Sequence, residues 1–186
     1  MRYFSSIIFL AFMIVSCGKE TLPKPVPYLK LQYPEAIYKK IESNGPFTFE
    51  ISDQAKINFK NKNWASIEYP QLKATVHLTY RPINNDLDEI LKEVEKLTFE
   101  HTIKADAINA VPYENSEKRV FAKLYNIEGS VATNIQFRAT DSLKHVLSGA
   151  LYFYTRPNYD SIVPAIKYVE KDIIHLIETL EWKNQQ

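Results

Sequence analysis

The chain has little of the residues on which flexible or cross-linked proteins depend. It contains one cysteine, Cys17, in 186 residues, so it cannot form an internal disulfide bond. Four glycines against twelve tyrosines and ten phenylalanines exclude a low-complexity stalk and indicate a well-ordered, aromatic-rich fold. Neither sign of charge is in excess, since there are 23 basic and 22 acidic residues. This balance argues against nucleic acid as a partner and against strong adhesion to anionic lipid.

The start of the chain carries an uninterrupted apolar run. Arg2 supplies a short positive start, and the run over residues 7–15 is too short for a comfortable transmembrane helix. Residues 14–17, Ile-Val-Ser-Cys, look like a bacterial lipobox, where cleavage precedes the cysteine and fatty acids such as palmitate are attached to it. We therefore predict a lipoprotein signal peptide over residues 1–16 and a stable multi-chain lipid anchor on Cys17. The alternative is a plain secretory signal that happens to contain a cysteine.

A proline-rich segment follows the predicted anchor. Pro23, Pro25 and Pro27 alternate with other residues, which forbids a helix and favours an extended arm. At about 3 Å per residue, this arm would lift a folded part about 30 Å from a bilayer. We predict a lipidated cysteine and tether over residues 17–27 and a single domain over residues 28–186.

Apolar and polar residues alternate in several segments, which predicts β-strands. The longest segment, residues 144–155, is apolar on both faces, so we expect it in the middle of a sheet. Two of the strands should flank a short loop at Glu128-Gly129-Ser130, as in a hairpin. The predicted strands cover residues 47–51, 56–60, 73–80, 119–127, 131–139 and 144–155.

Two segments carry apolar residues at helical spacing. Residues 86–101 have a narrow apolar stripe, which predicts an amphipathic helix on the surface of a sheet. Residues 160–180 have a broader stripe and should form a structural helix. Residues 28–43 are predicted to pack along the domain edge, with an isolated helix as the competing interpretation. The fold class is α+β, a single mostly antiparallel sheet with helices packed on its faces, which is similar to the PsbP-like fold. The fold does not decide the function.

One cluster contains the residue types of a catalytic triad. Asp141, Ser142 and His145 lie within five positions, but the first two are predicted to form a turn and no glycine-flanked nucleophile elbow is present. The other histidines, at positions 77, 101 and 175, lie on separate elements without the paired spacing of a zinc site, and no phosphate-binding glycine loop exists. We therefore expect no catalytic residue, no metal and no cofactor.

Several segments resemble a known family. The chain resembles the gliding-motility lipoprotein GldD family of the Bacteroidetes in three stretches. These are Pro46 to Glu50, Trp64 to Pro70 and, above all, the stretch that contains Gln136-Phe137, residues 140–142, His145 and residues 149–153. The resemblance extends from about Tyr28 to Trp182. It implies a place in the cell-envelope machinery of gliding and of the linked type IX secretion system. It offers no site residue to carry over beyond Cys17 as the anchor.

Two functional hypotheses follow. The first is a non-catalytic assembly or stability factor, lipid-anchored to the inner or outer membrane, facing the periplasm and binding other envelope proteins. The second is an envelope module that binds a small molecule or glycan, with weak hydrolase activity as an option. A flat, exposed aromatic patch would favour the first hypothesis, whereas a pocket with convergent polar groups would favour the second.

Overall fold

The computed structural model describes residues 33–43, 45–100, 104–154 and 159–183. The strands are β1 (Tyr38–Glu42), β2 (Phe47–Ser52), β3 (Lys56–Phe59), β4 (Trp64–Tyr69), β5 (Ala74–Pro82), β6 (Ala107–Asn115), β7 (Val120–Glu128), β8 (Thr133–Thr140), β9 (His145–Phe153) and β10 (Glu181–Trp182). The helices are α1 (Leu87–Glu100) and α2 (Tyr159–Thr179), and a short 3-10 helix spans Pro70–Leu72.

The strands form two antiparallel sheets, which corrects the prediction of a single sheet. The larger sheet has seven strands in the order β3-β4-β5-β9-β8-β7-β6, and the smaller one has three in the order β1-β2-β10. Strands β2 and β3 are consecutive in the chain, but they do not pair with each other. Strand β2 pairs with β1 on one edge and with β10 on the other, so β3 joins the larger sheet at its edge. The alternation of apolar and polar residues predicted β2 and β3 as strands but did not indicate which strands they pair with. The α+β class itself is confirmed.

Strand β9 occupies the middle of the seven-stranded sheet, as its sequence predicted. It pairs with β5 on one side and with β8 on the other. Leu147 and Leu151 are fully buried, and Gly149 faces the ring of Phe137, where an added Cβ would lie 2.2 Å from a ring carbon. The close approach of that ring explains why a glycine stands in a central strand.

The two helices differ in how deeply they pack. Helix α2 buries apolar side chains in one hydrophobic core with β2 and the larger sheet, including Val169, Ile173 and Leu176. Helix α1 buries only Ile90 and Thr98. The Thr98 hydroxyl is hydrogen-bonded to Gln136 on β8 at 2.8 Å, so α1 lies on the surface of the sheet. Both helices were predicted, with bounds within one residue.

Four strands were not predicted, and each has a physical reason. Strand β4 has three consecutive buried residues, Ala65, Ser66 and Ile67, so it shows no clear alternation of burial. Strand β6 is an edge strand with largely exposed residues and Pro112 inside it, so it lacks a clear alternation of burial. Strand β10 has two residues. Strand β1 lies in the segment expected to pack at the domain edge, and its pairing with β2 shows that the helical alternative was wrong.

Candidate functional site

The predicted lipidation residue lies outside the described residues. Cys17 and the tether over residues 17–27 are not described, and neither is His101. The lipid anchor therefore stays a prediction. Of the remaining histidines, His77 lies on β5, His145 begins β9 and His175 lies on α2.

The turn between β8 and β9 is organised by Asp141. One carboxylate oxygen of Asp141 accepts hydrogen bonds from the backbone N–H groups of Leu143, Lys144 and His145, at 2.9, 2.8 and 2.8 Å. Burial alone would raise the pKa of Asp141, but these three donors outweigh it and hold the pKa below its ordinary value of 3.8. The carboxylate thus stabilises the turn that the sequence predicted.

Ser142 and His145 do not form a nucleophile and base pair. Ser142 is exposed, and its backbone N–H donates to the Thr140 hydroxyl oxygen at 2.9 Å. The Nδ1 atom of His145 is instead hydrogen-bonded to the Tyr80 hydroxyl at 2.9 Å. Within the part of the chain that the structure describes, no hydrogen bond joins Ser142 to His145. The three triad residue types therefore act as a turn and a packed imidazole, not as a proton relay.

His145 is held neutral by its surroundings. Its ring stacks on Trp182 with the ring centroids 5.2 Å apart. Burial lowers the pKa of His145 from its ordinary value of 6.5, and the attraction of the Asp141 carboxylate only partly opposes this. The imidazole is consequently uncharged at neutral pH.

Asp141 and His145 line a groove of about 540 Å³, which we call the end groove. Three segments build it: the β6–β7 turn with Arg119, the β8–β9 turn with Lys144, and β10 with Trp182. The indole N–H of Trp182 donates to the backbone oxygen of Arg119 at 3.1 Å, so the ring is fixed in position. Both turns contain a residue in the left-handed region, Arg119 with φ 51° and Ser142 with φ 64°.

Charged side chains dominate the end groove. Lys118 pairs with Glu181 at 2.9 Å, and Lys183 pairs with Glu42 at 3.2 Å. Lys40 also contacts Glu181 at 3.1 Å, and the two lysines hold the pKa of Glu181 below its ordinary value. The groove is thus polar and open.

A second groove lies on a face of the larger sheet, next to α1. It has a volume of about 240 Å³, and we call it the sheet groove. Thr79, Ser148 and Ala150 lie along strands β5 and β9, and Val94 and Leu97 of α1 form a wall. Small side chains under a helix that buries few residues leave a shallow depression and no enclosed pocket.

Large exposed side chains surround the sheet groove. Trp64 is 55% exposed and lies opposite Thr79 in the β4–β5 register, so both side chains are on this face. Tyr154 is 63% exposed, and its hydroxyl is 3.4 Å from His77 Nε2. Leu97 is 53% exposed although it belongs to the apolar stripe of α1. Several large exposed side chains therefore share one surface, which we call the α1 face.

A polar network lies between α2 and the smaller sheet. Tyr38 donates to Asp172 Oδ1 at 2.9 Å and stacks on His175 with centroids 3.6 Å apart, and His175 Nε2 is 2.8 Å from a Glu50 carboxylate oxygen. Burial raises the pKa of Asp172, and the hydrogen bond from Tyr38 opposes this only partly. The network joins β1 and β2 to α2 and does not open into either groove.

Sequence reasoning did not find the end groove. Arg119, Lys144 and Trp182 are far apart in the chain, and the strand order alone brings the two turns and β10 to the same end of the molecule. No spacing in the sequence could have indicated this. The abundance of tyrosine and phenylalanine likewise predicted only an aromatic-rich fold and could not place exposed side chains on the α1 face.

Among the described residues, no group of three or more His, Cys, Asp or Glu side chains could hold a metal ion. The helices within those same residues lack the combined length and apolar content that crossing a bilayer requires.

Comparisons with known proteins identify a family. The sequence model described as "Gliding motility lipoprotein GldD" matches residues 18–182. A search of curated proteins gives no match. The family match confirms the resemblance noted from the sequence, and it covers all the strands and helices described above.

Proposed function

Because the chain belongs to the gliding motility lipoprotein GldD family, we propose that it is a non-catalytic assembly or stability factor of the gliding apparatus and of the linked type IX secretion system. It acts from the cell envelope, anchored through acyl chains on Cys17 and facing the periplasm. The family match over residues 18–182 is the observation that carries this proposal. Its partners are other envelope proteins of the same apparatus.

The α1 face supplies the binding surface for such a partner. Monomeric proteins rarely leave large apolar side chains grouped on one surface without a use for them. Trp64, Tyr154 and Leu97 are each more than half exposed there, and Phe99 is 49% exposed. Aromatic side chains contribute most at the centres of protein interfaces because they bury a large area with few rotatable bonds. A partner that covers this face would complete the packing that α1 leaves open.

The absence of a relay between Ser142 and His145 supports a role without catalysis. The Oδ1 atom of Asp141 accepts hydrogen bonds from three backbone N–H groups, and the Nδ1 atom of His145 is hydrogen-bonded to the Tyr80 hydroxyl. A serine nucleophile needs a base within hydrogen-bond reach and a third group that orients the base. Neither condition is met by these three residues.

Affinity purification of the acylated protein from its native membrane tests the proposal. We expect co-purification of gliding or secretion components in near-stoichiometric amount. Exchange of Trp64 and Tyr154 for serine should remove these components while leaving the melting temperature nearly unchanged, since both side chains are largely exposed. The matched control is Ile37→Ser, which alters a side chain that is 71% exposed outside the α1 face and should retain the partners. Recovery of the wild-type protein alone would contradict the proposal.

The anchor has its own test. Cys17→Ser removes the acylation site, so the protein should no longer incorporate labelled fatty acid and should remain an uncleaved precursor. Normal labelling of this variant would show that Cys17 is not the lipidated residue.

A further inference from the structure

We propose that the end groove binds an acidic saccharide, with the carboxylate of the sugar held by Arg119 and Lys144. This inference goes beyond the docking of a protein partner, because it concerns a different surface from the α1 face and a different class of ligand.

The first argument is the distribution of charge. Lys118 and Lys183 already have carboxylate partners, Glu181 and Glu42, at 2.9 and 3.2 Å. Arg119 does not, because its Nη2 atom donates only to the backbone oxygen of Asp141, at 3.3 Å. The ammonium group of Lys144 contacts no carboxylate among the described residues. Neither cation forms an ion pair among the described residues, although the Asp141 carboxylate, whose three hydrogen bonds go to backbone N–H groups, also lines the groove.

The second argument is the geometry of the guanidinium group. Arginine presents a planar fork that matches a carboxylate in two parallel hydrogen bonds, whereas lysine acts as a point charge that adds attraction without direction. Arg119 and Lys144 come from neighbouring turns of the same sheet and line the same groove. Together they offer orientation from one residue and additional charge from the other.

The third argument is the remainder of the lining. Glu117 supplies an acceptor for hydroxyl or amide donors, and the Trp182 ring supplies one flat apolar surface. A saccharide with a carboxylate uses all three features, since it has an anion, several hydroxyl donors and an apolar ring face. The volume of about 540 Å³ falls within the range typical of small-molecule sites.

Other anions use the groove less well. A bare phosphate would leave the Trp182 ring and the Glu117 carboxylate without a ligand contact. An acidic peptide would need an apolar pocket for its anchoring side chains, and Leu143, which is 59% exposed, is the only aliphatic side chain in the groove as described.

The backbone of Arg119 provides a useful variant for the test. Its φ of 51° lies in the left-handed region that favours glycine, so an arginine there is retained at a cost of about 1 kcal/mol. Arg119→Gly therefore removes the guanidinium group while relieving the backbone, and the folded state should be preserved.

The test measures sugar binding to the full acylated chain in detergent micelles by isothermal titration calorimetry. The probes are the disaccharide of N-acetylglucosamine and N-acetylmuramic acid, and chitobiose, which lacks the lactyl carboxylate. We expect the acidic disaccharide to bind at least tenfold more tightly than chitobiose. Arg119→Gly and Lys144→Gln should each weaken its binding about tenfold or more. The matched control is Lys73→Gly, which removes a cation at another left-handed position, with φ 50°, and should change binding less than twofold.

Each other outcome overturns the inference. Equal binding of the two disaccharides would show that no carboxylate is recognised. Inorganic phosphate or a short polyglutamate peptide binding as tightly as the acidic disaccharide would assign the groove to a bare anion or to a peptide. Unchanged binding by Arg119→Gly, with its melting temperature equal to or above that of the wild type, would place the ligand elsewhere. None of these results bears on partner recovery through the α1 face, so the two proposals fail separately.

Discussion

At the scale of single residues, nearness in sequence does not predict a shared chemical task. Asp141 and Ser142 are adjacent, yet the carboxylate accepts three backbone N–H groups while the serine is exposed. We expect Ser142→Ala to leave gliding and secretion intact. Asp141→Ala should lower the free energy of unfolding by about 1–3 kcal/mol, since it leaves turn donors without an acceptor. Motility assays and urea denaturation check both results, and loss of function by Ser142→Ala at normal protein level would reopen the case for a hydrolase.

The neutral state of His145 can be followed through its neighbour. The chain has two tryptophans, so Trp64→Phe leaves Trp182 as the single fluorescent indole, stacked on His145. A protonated imidazole quenches an indole in contact with it. Because burial lowers the pKa of His145, we expect the emission of Trp182 to fall with a midpoint below pH 6.5, and His145→Gln should abolish this titration.

The same pKa shift has a consequence for stability. As the pH falls below 6.5, the unfolded chain binds a proton at this histidine more readily than the folded chain does. The contribution of the neutral His145 to the free energy of unfolding is therefore fully present above pH 6.5, and it is lost as the pH falls through the folded-state pKa. A midpoint at or above pH 6.5 in the Trp182 titration would contradict the buried environment of the ring.

The titration of Asp172 should change the stability with pH in the opposite direction to that of His145. Burial raises its pKa above 3.8, so ionising it costs free energy in the folded state and the protein loses stability as the pH rises through and above 3.8. Asp172→Asn keeps an acceptor for Tyr38 but cannot ionise. We expect the free energy of unfolding of this variant, relative to the wild type, to increase from pH 3 to pH 7 in urea denaturation. The control is the exposed Asp106→Asn, and equal pH dependence of the two variants would refute the assignment.

At the scale of secondary structure, the sequence predicted elements wherever burial follows a regular period. The helices and strands β5, β7, β8 and β9 were found because one face, or in β9 both faces, consists of apolar side chains. Strand β6 was missed because an exposed edge strand with Pro112 carries no such period. Strand β10 was missed because two residues cannot carry one.

The grooves were beyond sequence analysis for a different reason. Each depends on which strands are neighbours, and strand order was the property that periodicity left open. The separation of β2 from β3 into two sheets is the clearest instance, because both strands were predicted and their pairing was not. The residues of the end groove meet only after β10 has paired with β2 and the β6–β7 turn has come beside the β8–β9 turn.

The position of a strand in the sheet determines the cost of truncating its side chains. Leu151 lies on the central strand β9 and is fully buried, so Leu151→Ala should lower the free energy of unfolding by roughly 2–5 kcal/mol. The matched control is Val111→Ala on the edge strand β6, where the side chain is 39% exposed, and it should cost less than about 1 kcal/mol. Chemical denaturation and immunoblotting of cell extracts measure both. Equal costs would contradict the central placement of β9.

At the scale of the whole molecule, the chain leaves the smaller sheet after β2 and returns to it at β10. Between these points it builds the entire larger sheet and both helices. Residues at the two ends of the described part are therefore neighbours, as the hydrogen bond from the Lys183 N–H to the Pro46 oxygen at 2.8 Å illustrates. This closure fixes Trp182 at the end groove without involving the α1 face. A partner protein and a ligand can thus be bound on separate surfaces.

The predicted anchor determines how such a protein would act. A factor that brings a folded domain against partners in the envelope gains from sharing a membrane with them, because confinement raises the effective concentration without any new contact. A soluble form beginning near Tyr28, secreted with a cleavable signal, should fold normally yet fail to restore gliding and secretion in a strain that lacks the gene. Overproduction should rescue these functions only partly, since mass action replaces lost concentration but not orientation.

The soluble and the anchored forms must be compared at matched abundance in the periplasm, checked by immunoblotting, so that degradation is not mistaken for loss of function. A form with the native anchor and with residues 18–27 replaced by a Gly/Ser linker of equal length separates anchoring from the stiffness of the arm. We expect this form to complement better than the soluble one, because a flexible linker keeps the attachment but has a shorter mean reach than an extended proline-rich arm. Full complementation by the soluble form at native abundance would show that anchoring is incidental, and would favour a role in binding a diffusible ligand.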